Sequence, residues 1–293
     1  MKQTGDGLHW TLGYKGSVNR WECDENDHLN VRFYSRMAGE AVIGALAAWG
    51  EAGRATLRWQ HMRYLAEARL ATPVSGYVTP LAVDDTGYTL LVALRHSLTD
   101  NVLATAIGTW TGDGHTIPAV AHTIPAYAAP RGVADADTPF GSLALDAARA
   151  HGFATVGKGV IARRECGMDD LLPPDGMMGR ISDAMPNLWA LLQTEAELAA
   201  RSDGFVGGAV LEYRMHHHGA LKAGSRYEIV SGVRDVTEKL QHFVHLCFDL
   251  DTGCCVTSAQ AVGVVLDLVA RRAVPIPADR RQRMLSLRLK PVA

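Results

Sequence analysis

The chain is short of cysteine: five in 293 residues, an odd count with no C-x-x-C pair. Two of them, Cys254 and Cys255, are adjacent and cannot easily bridge to each other. A disulfide scaffold is therefore not expected, and the thiols read as reduced, in a cytoplasmic setting. No apolar run approaches the ~18 residues of a membrane helix. Residues 1–7 also lack the apolar stretch of a signal peptide, so no membrane partner is expected. Neither sign of charge dominates. Against 29 Lys and Arg stand 31 Asp and Glu, a net charge of −2 that gives no general pull toward nucleic acid or anionic lipid. Also missing are a G-x-x-x-x-G-K-[ST] phosphate loop, a G-x-G-x-x-G turn between strand and helix, and a G-x-S-x-G nucleophile elbow. What remains is a globular composition, 47% hydrophobic and 20% charged, long enough for two ordinary domains or one large one.

An internal repeat decides between those two. Lys15-Gly16-Ser17-Val18-Asn19-Arg20-Trp21-Glu22-Cys23 recurs as Lys158-Gly159-Val160-Ile161-Ala162-Arg163-Arg164-Glu165-Cys166, five identities in nine without a gap. The offset, 158 − 15 = 143, also carries Asp27 onto Asp170. The residues after each copy share one plan. In the first half, Phe33, Tyr34, Met37, Ala38, Ala41, Val42, Ala45, Leu46 and Trp49 form one apolar stripe, which predicts a helix over 30–50. Alternating β-rich runs come next at 55–64, 74–81, 88–98 and 102–110, with a turn at Thr99-Asp100-Asn101. In the second half a helix is expected over 177–200, kinked or restarted at Pro186. Strands are expected at 209–216, 227–233, 243–250 and 254–266, with a turn at Asp251-Thr252-Gly253. Such a unit packs by laying its sheet around the helix's apolar stripe, and two units can join edge to edge. The reading is an α+β pair of domains, 1–122 and 146–270. The Pro- and Ala-rich stretch 123–145 serves as linker, and 271–293 is a surface extension.

Between the first strand and first helix lies Arg20-Trp21-Glu22-Cys23-Asp24-Glu25-Asn26-Asp27-His28-Leu29-Asn30-Val31-Arg32-Phe33-Tyr34, dense in carboxylates with a carboxamide and an imidazole. Taken alone it is a polar loop with Asn30 as helix N-cap. This segment resembles the signature of the 4-hydroxybenzoyl-CoA thioesterase and acyl-ACP thioesterase families. There an Asp is followed by His, Asn and a helical aromatic, here Asp24, His28, Asn30 and Tyr34. The D-x-N-x-H form is matched by Asp24, Asn26 and His28. The local match is close; over the rest of the chain only element order and doubling agree. The resemblance implies two tandem hot-dog domains forming a pseudo-dimer and an enzyme that hydrolyses an acyl-CoA or acyl-carrier thioester. It implies a catalytic set of Asp24, Asn26 and His28, substrate contacts from Asn30, Val31 and Tyr34, and no cofactor beyond the CoA of the substrate. Asp24 would attack directly or activate water. Asn26 would orient Asp24 or the water, and His28 would be base, thiolate proton donor or Asp24 partner. Unpaired N–H groups at the helix start near Val31 would hold the oxyanion.

The repeat supplies an internal control. At the same offset Asp24 becomes Gly167, Asn26 Asp169, His28 Leu171 and Asn30 Pro173, while Glu22, Cys23 and Asp27 recur. The second half therefore reads as catalytically silent. The recurring residues read as scaffold, with Cys23 as buried packing and Asp27 as a turn or cap. Glu25 and Glu40 read as solvated. In hot-dog dimers the site lies between units, so the second half should add a pocket wall, with Arg180 and Asp183 as substrate contacts. Consecutive strand residues alternate faces, so His216-His217-His218 rarely share one ion and no metal site is expected. His61, in the corresponding strand, reads as a shared structural position, and His96 and His245 as core or surface. Short basic clusters such as Arg280-Arg281 read as solvated. A homo-oligomer of pseudo-dimers is compatible with the plan. A hydratase, dehydratase or lyase on an acyl-CoA, or a non-catalytic acyl-CoA-binding protein, are the competing readings.

Overall fold

The computed structural model describes residues 2–3, 8–51, 55–112, 116–118, 123–133, 139–194, 197, 199 and 206–291. The chain divides into two compact units, Met1–Arg131 and Gly132–Ala293.

Unit 1 contains β1 (Lys2–Gln3), β2 (His9–Ser17), α1 (Val31–Trp49), β3 (Thr56–Tyr64), β4 (Pro73–Asp84), β5 (Gly87–His96) and β6 (Val102–Thr111). The strands form an antiparallel sheet in the order β1-β2-β4-β5-β6-β3. The helix starts where Asn30 Oδ1 accepts from the Arg32 N–H at 3.0 Å and ends at Gly50, whose φ of 82° is a left-handed conformation that glycine adopts without strain. Its buried face is Tyr34, Ser35, Met37, Ala38, Ala41, Val42, Ala45 and Leu46, the stripe read from the sequence. Phe33 and Trp49 lie at its margins. Arg32 and Arg36 sit over the Phe33 ring at 5.6 and 5.0 Å, and Trp49 Nε1 donates to Thr11 Oγ1 at 3.0 Å.

Unit 2 contains α2 (Leu145–Ala150), β7 (Ala154–Val160), α3 (Pro174–Leu192), β8 (Val206–His217), β9 (Arg226–Val236), β10 (Leu240–Asp249), β11 (Cys255–Asp267), β12 (Arg272–Val274) and α4 (Ala278–Ser286). Its antiparallel sheet runs β8-β11-β10-β9-β7, with β12 added on β11. The turns fall where expected: Asp100 (φ 61°) and Gly253 (φ 75°) occupy the left-handed positions of two equivalent tight turns.

Three expectations change. Pro186 does not break α3, which runs as one helix through it; the ring is on an exposed face, so only one backbone hydrogen bond is forfeited. The expected end of that helix, 193–200, falls mostly outside the described residues. The stretch read as a linker is packed instead. Arg63 Nη1 donates to the carbonyls of Ala126, Tyr127 and Ala129 at 3.1, 2.8 and 2.9 Å. Ala128 joins Leu8, Trp10, Leu81, Leu91, Ala93 and Ile107 in a core on the sheet. In unit 2, Phe140, Ala148, Phe153 and the tail residue Leu289 pack similarly on Val230, Val244, Leu246 and Phe248, and α4 buries Arg280 and Met284. The physical reason is common to both: a helix covers one sheet face only, and the other face is also apolar and takes its cover from flanking chain.

Candidate active site

The loop before α1 is built on Glu22. Its side chain is 1% exposed; Oε2 accepts the Asn19 N–H at 2.9 Å and Oε1 accepts Arg36 Nη2 at 2.5 Å, tying a 3-10 turn (Arg20–Glu22) to the helix. Cys23 is not core packing: it is half-buried, and its thiol donates to the Asn19 carbonyl at 3.6 Å. Asp27 takes a left-handed φ of 60° and pairs with Arg20 at 2.8 Å. On this frame Asp24 is locked by its own loop. Its N–H donates to the His28 carbonyl at 2.8 Å. Its Oδ1 accepts the N–H groups of Asn26 and His28 at 2.9 and 3.1 Å, leaving Oδ2 without a protein partner among the described residues. Burial raises the Asp24 pKa above the ordinary carboxylate value, against the two backbone N–H groups, which lower it. Asn26 is buried, and its carboxamide has no hydrogen-bond partner among the described residues.

His28 turns toward a residue that the sequence reading missed. Its Nε2 lies 3.3 Å from Glu67 Oε2. Glu67 sits in the connection between β3 and β4, 39 positions after His28, and no local motif marks it. The tie that brings it there is Tyr34. Its hydroxyl accepts the Ala68 N–H at 3.1 Å and reaches the Ala66 carbonyl at 3.5 Å, while the Ala68 carbonyl accepts the Leu29 N–H at 2.8 Å. Tyr34 is buried against the edge of Tyr64, ring centroids 5.3 Å apart, and burial pushes its phenol well above the usual range. It is a pin between helix and loop. Asn30 likewise is the helix cap. The Val31 N–H, by contrast, has no acceptor among the described residues.

Unit 2 repeats much of this frame. Ala162 N–H donates to Glu165 Oε2 at 2.9 Å, Cys166 Sγ to the Ala162 carbonyl at 3.7 Å and Gly167 N–H to the Leu171 carbonyl at 2.9 Å. Asp170 holds φ 58°, and Leu172 N–H meets the Leu221 carbonyl at 2.8 Å. Glu165 is bonded by Arg180, which also lies 5.5 Å over the Tyr227 ring. Burial works to raise the Glu165 pKa, but the Ala162 N–H and Arg180 outweigh it and hold it below the usual value. Two groups of the first loop have no counterpart: Gly167 has no carboxylate, and the helix begins Pro173-Pro174, so the position of Val31 has no N–H at all. Arg180 and Asp183 line a cleft of unit 2 itself, with Thr155, Lys158, Asn187 and Tyr227. At the end of β8, His217 is half-buried, while the rings of His216 and His218 stack at 6.4 Å. Among the described residues no three metal-ligating side chains gather, and no helix is long and apolar enough to cross a membrane.

Two antiparallel sheets, each packed on its own long helix, make this a double hot-dog protein. Residues 18–112, within unit 1, match the family model of the thioesterase-like superfamily. The whole chain is similar to a structure described as an oleoyl thioesterase of Lactobacillus plantarum, at TM-score 0.64 and 11% identity over 93% of this chain and 99% of that one. It is also similar to the 12:0-ACP thioesterase of Umbellularia californica, at TM-score 0.60 and 12% identity over 90% and 97%. An acyl-ACP thioesterase of Bacteroides thetaiotaomicron matches at TM-score 0.57 and 11% identity over 87% and 97%. At these identities the likeness is one of fold. No curated protein matches the chain in sequence.

Proposed function

We propose that the protein hydrolyses a fatty-acyl thioester of CoA or an acyl-carrier protein, with one active centre per chain, in the 23–31 loop of unit 1. The observation that carries this reading is a joint loss. Where much of the loop's scaffold is duplicated, the carboxylate of Asp24 and the free N–H of Val31 disappear together, as Gly167 and Pro174. In this reading the two groups work together. The thioesterases of like fold, described as acting on oleoyl, acyl-ACP and 12:0-ACP esters, support the substrate class.

In this reading the thioester oxygen docks on the Val31 N–H, where the positive end of α1 stabilises the charge that develops. Asp24 Oδ2 draws a proton from water, whose oxygen bonds to the acyl carbon; the C–S bond breaks, and protonated His28, held by Glu67, delivers its proton to the departing thiolate. The proton on Asp24 then returns to His28. Asn26, buried with its carboxamide free, orients the water or Asp24. The reaction asks for no cofactor beyond the carrier of the substrate. The cytoplasmic setting belongs to the same proposal, supported by five free thiols. The test is thiol release from a panel of acyl-CoA and acyl-carrier esters by wild type and Asp24→Asn. Release by the wild type that falls at least ~100-fold in the variant is expected for a lost general base. No release from any ester removes the proposal.

A further inference from the structure

The two units differ sharply at one place outside the catalytic loop. In unit 1, β2 and α1 meet backbone to backbone. A Cβ on Gly13 would lie 1.9 Å from the Ala41 carbonyl oxygen, and one on Gly44 would lie 2.1 Å from that of Gly13. Only two glycines permit that approach. The 143-residue offset puts Val156 and Asn187 at these positions in unit 2, and Gly157 where unit 1 has Tyr14. Side chains now hold strand and helix apart. Asn187 Nδ2 donates across the gap to the Val156 carbonyl at 2.7 Å. The result is a cleft of about 410 Å³ between α3 and β7, floored by Tyr227 of β9. That lies within the roughly 300–1,000 Å³ of small-molecule sites.

The lining has a definite electrostatic sense. Lys158 Nζ is 3.3 Å from Glu228, and Arg180 is bonded to Glu165, so both cations are compensated. Asp183 has no hydrogen bond or ion pair among the described residues and carries the one uncompensated charge of the lining among them. The Tyr227 hydroxyl is also without a partner among the described residues, although the residue is only 6% exposed; Arg180 covers one face of its ring at 5.5 Å. Asn187, whose amide nitrogen is engaged, lines the cleft beside Asp183 and Tyr227, and each of the three has an oxygen able to accept a hydrogen bond.

We propose that this cleft is a binding site for a small organic cation, a primary ammonium received by the Asp183 carboxylate, the Tyr227 hydroxyl and the Asn187 amide oxygen. The site belongs to unit 2 alone and stands apart from the hydrolytic reading of unit 1. It also gives Arg180 and Asp183 a role other than contacts to the thioester.

Three probes of one length separate charge from shape: n-butylammonium, 1-butanol and butyrate, followed by ligand-observed NMR with the full chain. The ammonium should bind, the alcohol more weakly and the carboxylate not at all. Asp183→Asn should weaken the ammonium at least ~10-fold, the loss of one charge-assisted contact, with the melting temperature unchanged. Tyr227→Phe, which removes only the unbonded hydroxyl, should weaken it several-fold. Asp24→Asn should leave amine binding untouched, so this proposal and the hydrolytic one fail separately. Binding of butyrate in preference, or equal ammonium binding in wild type and Asp183→Asn, overturns the assignment.

Discussion

His28 and Glu67 face each other at 3.3 Å, one from the loop before α1 and the other from the connection between β3 and β4. The imidazole is almost enclosed, with 12% of its side chain exposed, whereas Glu67 is 38% exposed, so the pair fixes the ring's direction more than it adds stability. In the proposed mechanism the ring hands a proton to the leaving thiolate, which needs that fixed direction. Glu67→Gln keeps the shape and removes the charge. The expected result is a fall in kcat of between about 10- and 100-fold, as for partners that orient a reacting group, with KM and melting temperature near wild type. An unchanged kcat would leave Glu67 as a surface partner of His28 and nothing more.

Asp24 gives a prediction in which activity and stability move oppositely. Burial raises its pKa, so the folded protein binds a proton there more readily than the unfolded chain does. Its ionised form is therefore the less stable one in the fold, and the stability associated with this group is present at low pH and lost as pH rises through the raised pKa. A base must be ionised to act, so kcat/KM should rise with pH through an acid limb above the ordinary aspartate value. Asp24→Asn keeps an oxygen for the Asn26 and His28 N–H groups and abolishes the charge. Its melting temperature at pH 7 should equal or exceed that of wild type while thiol release is lost. A melting temperature several degrees lower would show that Asp24 is scaffold.

Much of this was legible in the sequence, because the strongest signals are periodic. The α1 stripe and all eight strand runs appear within a few residues of where alternation and spacing put them, and the K-G-x-[V/I]-x-R-x-E-C repeat marks the duplicated frame. What was not legible depends on distance through space. Glu67 reaches His28 only because Tyr34 gathers the loop between β3 and β4 against α1. Tyr34 and Asn30, which match the family pattern, act in this fold as pin and cap. Ala128 and Leu289 were misread because Pro- and Arg-rich composition imitates a linker or tail, whereas their apolar side chains close the open faces of the two sheets.

Tyr34→Phe isolates the pin. The ring and its edge contact with Tyr64 survive, while the Ala68 N–H loses its acceptor inside the fold. An unmet buried donor costs about 1–3 kcal/mol, which calorimetry resolves. Because the loop carrying Glu67 loosens, kcat should fall further than the stability loss explains, and KM should change little. Wild-type kcat at a lowered melting temperature would confine Tyr34 to folding.

Unit 2 carries an acid limit of its own. His245 is fully buried, with Nδ1 2.8 Å from Ser231 Oγ and its ring stacked on Tyr213 at 6.1 Å. His217 is half-buried, beside its neighbours His216 and His218 in the chain. Burial lowers both pKa values from 6.5 to about 4, with the neighbouring histidines adding to the effect at His217. A histidine held neutral in the fold but free to protonate when unfolded contributes its full stability above the unfolded pKa and loses it as pH falls. The window is therefore from about 6.5 down to about 4, and the loss is on the order of 3 kcal/mol for each group at its lower end. Thermal unfolding followed across that range should show a steep fall in melting temperature. Replacing the hydrogen-bonded pair together, His245→Phe with Ser231→Ala, should flatten the fall by about half, since His217 remains. A double variant that follows the wild-type curve would mean that the acid sensitivity arises elsewhere.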